Sequence, residues 1–181
     1  MRSRFMILMV TLLAAASIAT ATEPGRLELP DFSALAKKAS QSVVISLDPS
    51  LLGLARGLLS ADTEADDAGT RELISGLKGV YVRSFHFDQD DVYSQSDVEA
   101  VRAQLSAPAW QPLVSAHDRK QHSDVDVYVR RNGAQTEGLA IIAQHPRELT
   151  IVNIVGAIDL AKLSQLQGQF GIPRLDVKAN H

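Results

Sequence analysis

The chain has 181 residues, no cysteine and a formal charge of −3, with 18 basic and 21 acidic residues. The lack of cysteine excludes disulfides and a cysteine-linked lipid anchor, so core burial must hold the fold together. The acidic balance, with no run of basic residues longer than a pair, argues against nucleic-acid binding and against binding to anionic lipid surfaces.

The first 21 residues have the pattern of a secretory signal peptide. Arg2 and Arg4 precede an apolar run from Phe5 to Ala16, and Ala19-Thr20-Ala21 offers small residues for cleavage. The run is shorter than the roughly 20 residues that a membrane-spanning helix needs. We therefore expect cleavage near Ala21, a periplasmic protein that is not a lipoprotein, and no stable membrane insertion after cleavage.

The rest of the chain predicts one domain. We expect a signal peptide over 1–21, a linker over 22–30, a single domain over 31–173 and a C-terminal tail over 174–181. A single domain of this size buries enough surface, about 70% of its unfolded total, to be stable without disulfides.

Short helices alternate with strands in the first half of the domain. Asp48-Pro49 is a strong helix start, and Ser96 with Glu99 predicts a capping box for a later helix. Asp159 predicts the cap of a last short helix. The predicted strands are Val43 to Leu47, Lys78 to Asp91, Gln111 to His117, Val125 to Arg130, Glu137 to Ala143 and Leu149 to Ala157.

The C-terminal strands carry the clearest signals. Asn132-Gly133 predicts a type I′ hairpin turn, because this pair tolerates positive φ angles. The stretches GLAIIA and LTIVNIV are apolar on both faces, which is typical of strands in a covered sheet or against a partner. Asn153 lies inside the second stretch, and a buried amide must find hydrogen-bond partners.

This order of elements predicts an α+β fold with a mainly antiparallel sheet and helices on one face. The topology that we expect is a ferredoxin-like arrangement extended by a C-terminal β-meander.

Six sequence segments, given in chain order at the end of this paragraph, resemble the family of bacterial exported domains of unknown function numbered four-two-five-two. The resemblance covers about Leu29 to Pro173 and is most specific in APAW and LTIVNIVGAID. It implies an exported envelope protein with an accessory role in envelope-stress or sigma-factor signalling. It brings no catalytic residues. The segments are LPDFSALAKKA, LDPSLLGLA, LKGVYVRSFHFD, AQLSAPAWQPLV, DVDVYVRR and ELTIVNIVGAIDLAKL.

One cluster has side chains that suit chemistry. Imidazoles and carboxylates gather across a predicted strand-turn-strand, where they would converge as metal ligands or acid/base groups. The alternative is a solvated hairpin tip, because an alternating strand places carboxylates on its wet face. The cluster consists of His117, Asp118, His122, Asp124 and Asp126.

Two residues are candidates for partner binding. Trp110, the only tryptophan, would anchor a partner if exposed or plug the end of the core if buried. Arg56 interrupts an apolar helix.

No motif for a nucleophilic serine, a phosphate-binding loop or a cofactor occurs in the sequence. We expect a non-catalytic envelope module that binds a protein or an apolar ligand and has no cofactor. The alternative is a small metal-dependent hydrolase that uses the His117 to Asp126 cluster.

Overall fold

The computed structural model describes residues 23–54 and 75–158. Six strands form one sheet in the order β1-β2-β6-β5-β4-β3, and each neighbouring pair is antiparallel. The domain combines this antiparallel sheet with a few helices, so its fold class is α+β, as the sequence predicted. The strands are β1 (Gln41–Leu47), β2 (Leu77–His86), β3 (Trp110–Asp118), β4 (Ser123–Asn132), β5 (Gln135–His145) and β6 (Glu148–Gly156).

The two faces of the sheet carry separate apolar clusters, as alternation along β6 shows. Leu149 and Ile151 belong to one cluster, whereas Val152 and Ile154 belong to the other. Because successive side chains of a strand point to opposite faces, we call these the first face and the second face. Both faces of β6 are buried, which explains why its sequence lacks polar alternation.

The first face is covered by helix α1 (Ser33–Ala36), helix α2 (Gln95–Arg102) and the chain around Leu27. Val98 and Val101 of α2 are fully buried there. Helix α2 begins after Ser94, whose backbone N–H donates to Asp97 Oδ2 at 2.7 Å. The capping box therefore lies two residues before the position that the sequence predicted.

Two expectations about the topology are wrong. Helical residues do not lie on one face only, because Leu52, within the helical residues 49–54, packs in the cluster of the second face. In a ferredoxin-like arrangement the two strands of each strand-helix-strand unit run parallel with another strand between them, whereas β1 and β2 are antiparallel neighbours and β2 and β3 are separated by three strands.

The hairpin at Asn132-Gly133 is present, but its turn differs from the prediction. Asn132 pairs with Gln135, so the loop residues are Gly133 and Ala134. The φ angle is positive (61°) at Gly133 and not at Ala134. Glycine at the first loop position with a positive φ is the pattern of a type II′ turn rather than type I′.

The stretch predicted as a linker, 22–30, packs on the sheet in its described part. Leu27 is 4% exposed and belongs to the cluster of the first face. The guanidinium of Arg26 lies 4.7 Å from the ring centre of Tyr81. The predicted signal peptide, the tail, Arg56 and the helix after Asp159 lie outside the described residues. No helix within the described ranges is long and apolar enough to span a membrane.

Candidate functional site

The residues that suit chemistry meet on the first face, where β3 and β4 form a hairpin. The register places Ser115 opposite Asp126 and His117 opposite Asp124. Residues directly opposite in an antiparallel pair have side chains on the same face, about 5 Å apart. The hairpin therefore brings a hydroxyl, an imidazole and two carboxylates into contact.

Asp126 is the buried centre of this group. Its side chain is 3% exposed, and its Oδ2 accepts a hydrogen bond from Arg102 Nη1 of α2 at 2.6 Å. Its Oδ1 accepts a hydrogen bond from Ser115 Oγ. Arg102 Nη2 donates to Gln144 Oε1 at 2.7 Å. A buried carboxylate needs such partners because desolvation of an unpaired charge is costly.

His117 extends the group to the surface. Its Nε2 lies 3.3 Å from Ser115 Oγ, and its Nδ1 lies 2.8 Å from Asp124 Oδ1. This order of atoms is the one found in Ser-His-Asp triads. A hydroxyl has one proton, however, and the Ser115 hydroxyl donates it to Asp126. We call Arg102, Ser115, His117, Asp124 and Asp126 the polar network.

The remaining two members of the predicted cluster, Asp118 and His122, lie outside the polar network. Asp118 Oδ1 accepts hydrogen bonds from Lys120 N at 2.8 Å and Gln121 N at 3.1 Å, so Asp118 stabilises the turn between β3 and β4. His122 lies in the same turn with a positive φ of 48°. Within residues 23–54 and 75–158, no three His, Asp or Glu side chains are grouped so that they could hold a metal ion.

Elsewhere in the described part of the chain, three ionisable groups have shifted pKa values. Burial raises the pKa of Tyr93 to about 12, and its hydroxyl donates to His145 O at 2.5 Å. The hydrogen bond to Asp90 raises the pKa of Arg147. The hydrogen bond from Leu51 N lowers the pKa of Asp48, which caps the helical residues 49–54.

Among the residues that the structure describes, strand β1 forms one edge of the sheet, and it is the second candidate site. It pairs with β2 over seven consecutive residues without a bulge. Its sequence, QSVVISL, contains no charge and no proline. Val43 is 46% exposed and Val44 is 59% exposed. An exposed, regular and uncharged edge presents unpaired backbone groups to any other strand.

The hydrogen bonds of Arg83, on β2, show which backbone groups of β1 point towards β2 and which point to the open side. Arg83 Nη1 donates to Ile45 O and to Val82 O, at 2.8 Å each. One nitrogen reaches both carbonyls only if both lie between β1 and β2. Because backbone groups alternate in direction along an edge strand, the N–H and C=O of Val44 point to the open side.

The opposite edge, β3, is protected against such pairing. It contains Pro112 and an irregularity in register between Pro112 and Val114. It ends with His117 and Asp118, which are exposed. Proline, bulges and charged side chains are the features by which natural sheets block edge-to-edge contacts. The two edges of this sheet therefore differ in their capacity to accept a strand.

The structure also places the candidates for partner binding. Trp110 is 4% exposed and belongs to the cluster of the first face, so its ring packs in the core. Sequence reasoning missed Ser115 and Arg102. The spacing of Ser115 and His117 across the turn from Asp124 and Asp126 was a usable signal for Ser115, whereas nothing local linked Arg102 to this site.

The fold and these surfaces define a class of protein: an α+β domain on a six-stranded antiparallel sheet, with a paired polar network and one open edge strand. The profile of the domain of unknown function DUF4252 matches residues 36–166. The match covers well over half of the chain, so the protein belongs to this family, as the sequence resemblance indicated. No curated protein and no solved structure matches the chain.

Proposed function

We propose that this protein is an exported, non-catalytic binding module of the bacterial envelope, and that it binds a protein partner by strand addition along β1. The observation that carries the proposal is the exposed, uncharged and uninterrupted edge at Gln41–Leu47. An extended segment that adds to such an edge gains main-chain hydrogen bonds, and alternate side chains supply the specificity.

Export is supported by the signal-peptide pattern of residues 1–21. A partner in the envelope follows from that location, and an accessory role in envelope-stress or sigma-factor signalling is the context that the family resemblance suggests. Mass spectrometry of the protein from a periplasmic fraction tests the predicted export. The mass of a chain that starts at Thr22 would support export, and an uncleaved protein found in the cytoplasm would contradict it.

The polar network supports a non-catalytic role. Asp126 is paired with Arg102, and the Ser115 hydroxyl donates to Asp126 rather than to His117. A nucleophilic serine must pass its proton to the adjacent base. The network therefore acts as a clamp that joins helix α2 to strands β3 and β4.

Photo-crosslinking in living cells tests strand addition. We expect a photoreactive amino acid at Val44 to give one defined adduct whose cross-linked peptide is an extended segment. The matched control is the same amino acid at Ala116, which is exposed on the protected edge strand β3. Equal adducts at both positions, or none at Val44, would contradict the proposal.

A second candidate function is a small hydrolase centred on the cluster of His117 to Asp126. The spacing of Ser115 Oγ, His117 and Asp124, 3.3 Å and 2.8 Å, favours it. Labelling by a fluorophosphonate probe that is lost in Ser115→Ala would support this function, as would stoichiometric metal in the purified protein that is lost in His117→Ala. Neither result is expected if the network is a structural clamp.

A further inference from the structure

We propose that the strand that adds to β1 is the β1 of a second copy of this chain, so that two sheets join across a two-fold axis. This inference rests on the proposed use of β1 for strand addition and names the partner. It commits to a homodimer because the five central residues of β1, Ser42 to Ser46, are complementary to themselves when reversed.

Self-complementarity appears when two β1 strands are placed antiparallel about Val44. Val44 then faces Val44 of the second copy, Val43 faces Ile45, and Ser42 faces Ser46. Each of these three kinds of pair joins residues of the same kind, either β-branched apolar or serine, whereas the pair at the strand ends joins Gln41 to Leu47. Cross-strand β-branched pairs and serine pairs are favourable in antiparallel sheets, and no charged residue of β1 opposes this pairing.

The directions of the backbone N–H and C=O groups of β1 fit the same two-fold register about Val44. The groups of Val44 point to the open side, because the carbonyl of Ile45 lies between β1 and β2. By alternation, the groups of Ser42 and Ser46 also point outward. The two-fold register places outward-facing residues opposite outward-facing residues, which is the condition for exchanged hydrogen bonds between antiparallel strands.

Charges beside the junction do not prevent it. Arg83 on β2 lies opposite Val44, and its guanidinium is held by Ile45 O and Ser46 Oγ. In the joined sheet, the backbones of the two Arg83 residues would be three strand spacings apart, about 14 Å. Each guanidinium reaches towards its own β1 and is held there by Ile45 O and Ser46 Oγ, so the charges are closer than the backbones, and dissolved salt weakens the repulsion between them.

The contact area sets the expected strength. Pairing of two seven-residue strands buries less surface than the roughly 1,200 Å² of a stable interface. We therefore expect a dimer that dissociates on dilution. Sedimentation of the wild-type mature protein should show the mass rising from one chain towards two chains as its concentration increases.

Single cysteines test the register, because the chain has no native cysteine. In Val44→Cys the two thiols face each other in a pair whose Cα atoms are about 5.5 Å apart, within disulfide range. In Ser42→Cys the two thiols are four residues apart along the strands, about 13 Å. We expect mild oxidation to give a covalent dimer of Val44→Cys and none of Ser42→Cys.

A charged variant and a conservative variant test the contact without oxidation. Val44→Lys places two ammonium groups opposite each other, and we expect it to weaken the dimer by roughly tenfold or more. Val44→Thr keeps the β-branched shape and strand propensity, so its dimerisation should stay close to that of the wild type.

The outcomes separate this inference from the proposed function. A wild-type protein that stays monomeric at all concentrations overturns the homodimer, and equal oxidation of Val44→Cys and Ser42→Cys overturns the register. If the photo-crosslink at Val44 joins a different protein, strand addition stands and the homodimer falls. If it joins a second copy through β1, both proposals stand.

Discussion

Asn153 joins two parts of the chain that are 126 residues apart: its Oδ1 accepts a hydrogen bond from Leu27 N at 2.9 Å. Its Nδ2 donates to Gly25 O at 2.9 Å and to Leu139 O at 3.2 Å. The side chain is fully buried. The amide thus satisfies backbone groups of the N-terminal segment that the sheet cannot reach, and it anchors this segment on the first face.

Asn153→Ala should destabilise the protein by roughly 2–3 kcal/mol, because it leaves the buried N–H of Leu27 without an acceptor. The free energy of unfolding can be measured in urea by the fluorescence of Trp110, which is the only tryptophan and is buried.

Asn132→Ala is the matched control for this substitution. Asn132 Nδ2 donates to Glu137 Oε1 at 2.8 Å in an exposed position, so the loss should be at most about 0.5 kcal/mol. Equal losses at the two positions would refute the anchoring role of Asn153.

The Arg102–Asp126 pair should behave as a buried ion pair. Arg102→Met leaves the Asp126 carboxylate, 3% exposed, without its cation, and should cost roughly 3–5 kcal/mol. The double variant Arg102→Met/Asp126→Leu should be more stable than Arg102→Met, because it also removes the uncompensated charge. A double variant that is less stable than Arg102→Met would contradict this account.

The exposed pair Arg147–Asp90, with atoms 2.5 Å apart, is the control for the buried pair. Its side chains are more than half exposed, and exposed ion pairs contribute little to stability. Arg147→Met should therefore leave the urea midpoint unchanged within error.

Gly138→Ala should destabilise the protein by about 1–3 kcal/mol through overpacking. A Cβ at this position would lie 2.8 Å from Gly25 Cα and 3.0 Å from Trp110 Cη2.

Gly53→Ala is the control, because a Cβ there meets no atom within 4 Å. Gly53 lies in the helical residues 49–54, and alanine should stabilise this helix by about 0.5–1 kcal/mol. Urea unfolding of both variants checks the two signs.

Tyr93 should make stability fall at high pH. Burial raises its pKa to about 12 in the folded protein, whereas an unfolded chain ionises tyrosine near pH 10. Below pH 10 both states keep the proton, and its contribution to stability is complete. Between about pH 10 and 12 the unfolded state binds fewer protons, so this contribution is lost as pH rises.

Tyr93→Phe should remove that part of the pH dependence. We expect a shallower fall in unfolding free energy between about pH 10 and 12, and loss of the tyrosinate absorbance step near pH 12. A fall as steep as that of the wild type would place the cause in another residue.

Much of the fold could be predicted from local patterns. The six strands lie where β-branched and aromatic residues cluster, because strand formation depends on side chains within a few residues. The hairpin at Asn132-Gly133 was located correctly, but its turn type was wrong. Turn type depends on which residues pair across the hairpin, and Asn132 pairs with Gln135.

The candidate site was predicted in part for the same reason. His117 and Asp124 meet because a short turn joins their strands, so their contact is encoded locally. Arg102 reaches Asp126 only because α2 packs on the first face through Val98 and Val101. Docking of a helix on a sheet depends on shape and burial over the whole face, which no short stretch encodes.

The sequence by itself determined which stretches form strands, although the second strand ends at His86 and not at Asp91. It also indicated that Asn153 would be buried and need partners, and that the chain resembles DUF4252. Only the tertiary structure decided that β1 is an edge of the described sheet while β6 lies inside it. Side-chain alternation reports which face of a strand is buried, but neighbours in a sheet are chosen by hydrogen bonds between segments far apart in sequence. The edge on which the proposed function depends therefore appears only in the folded protein.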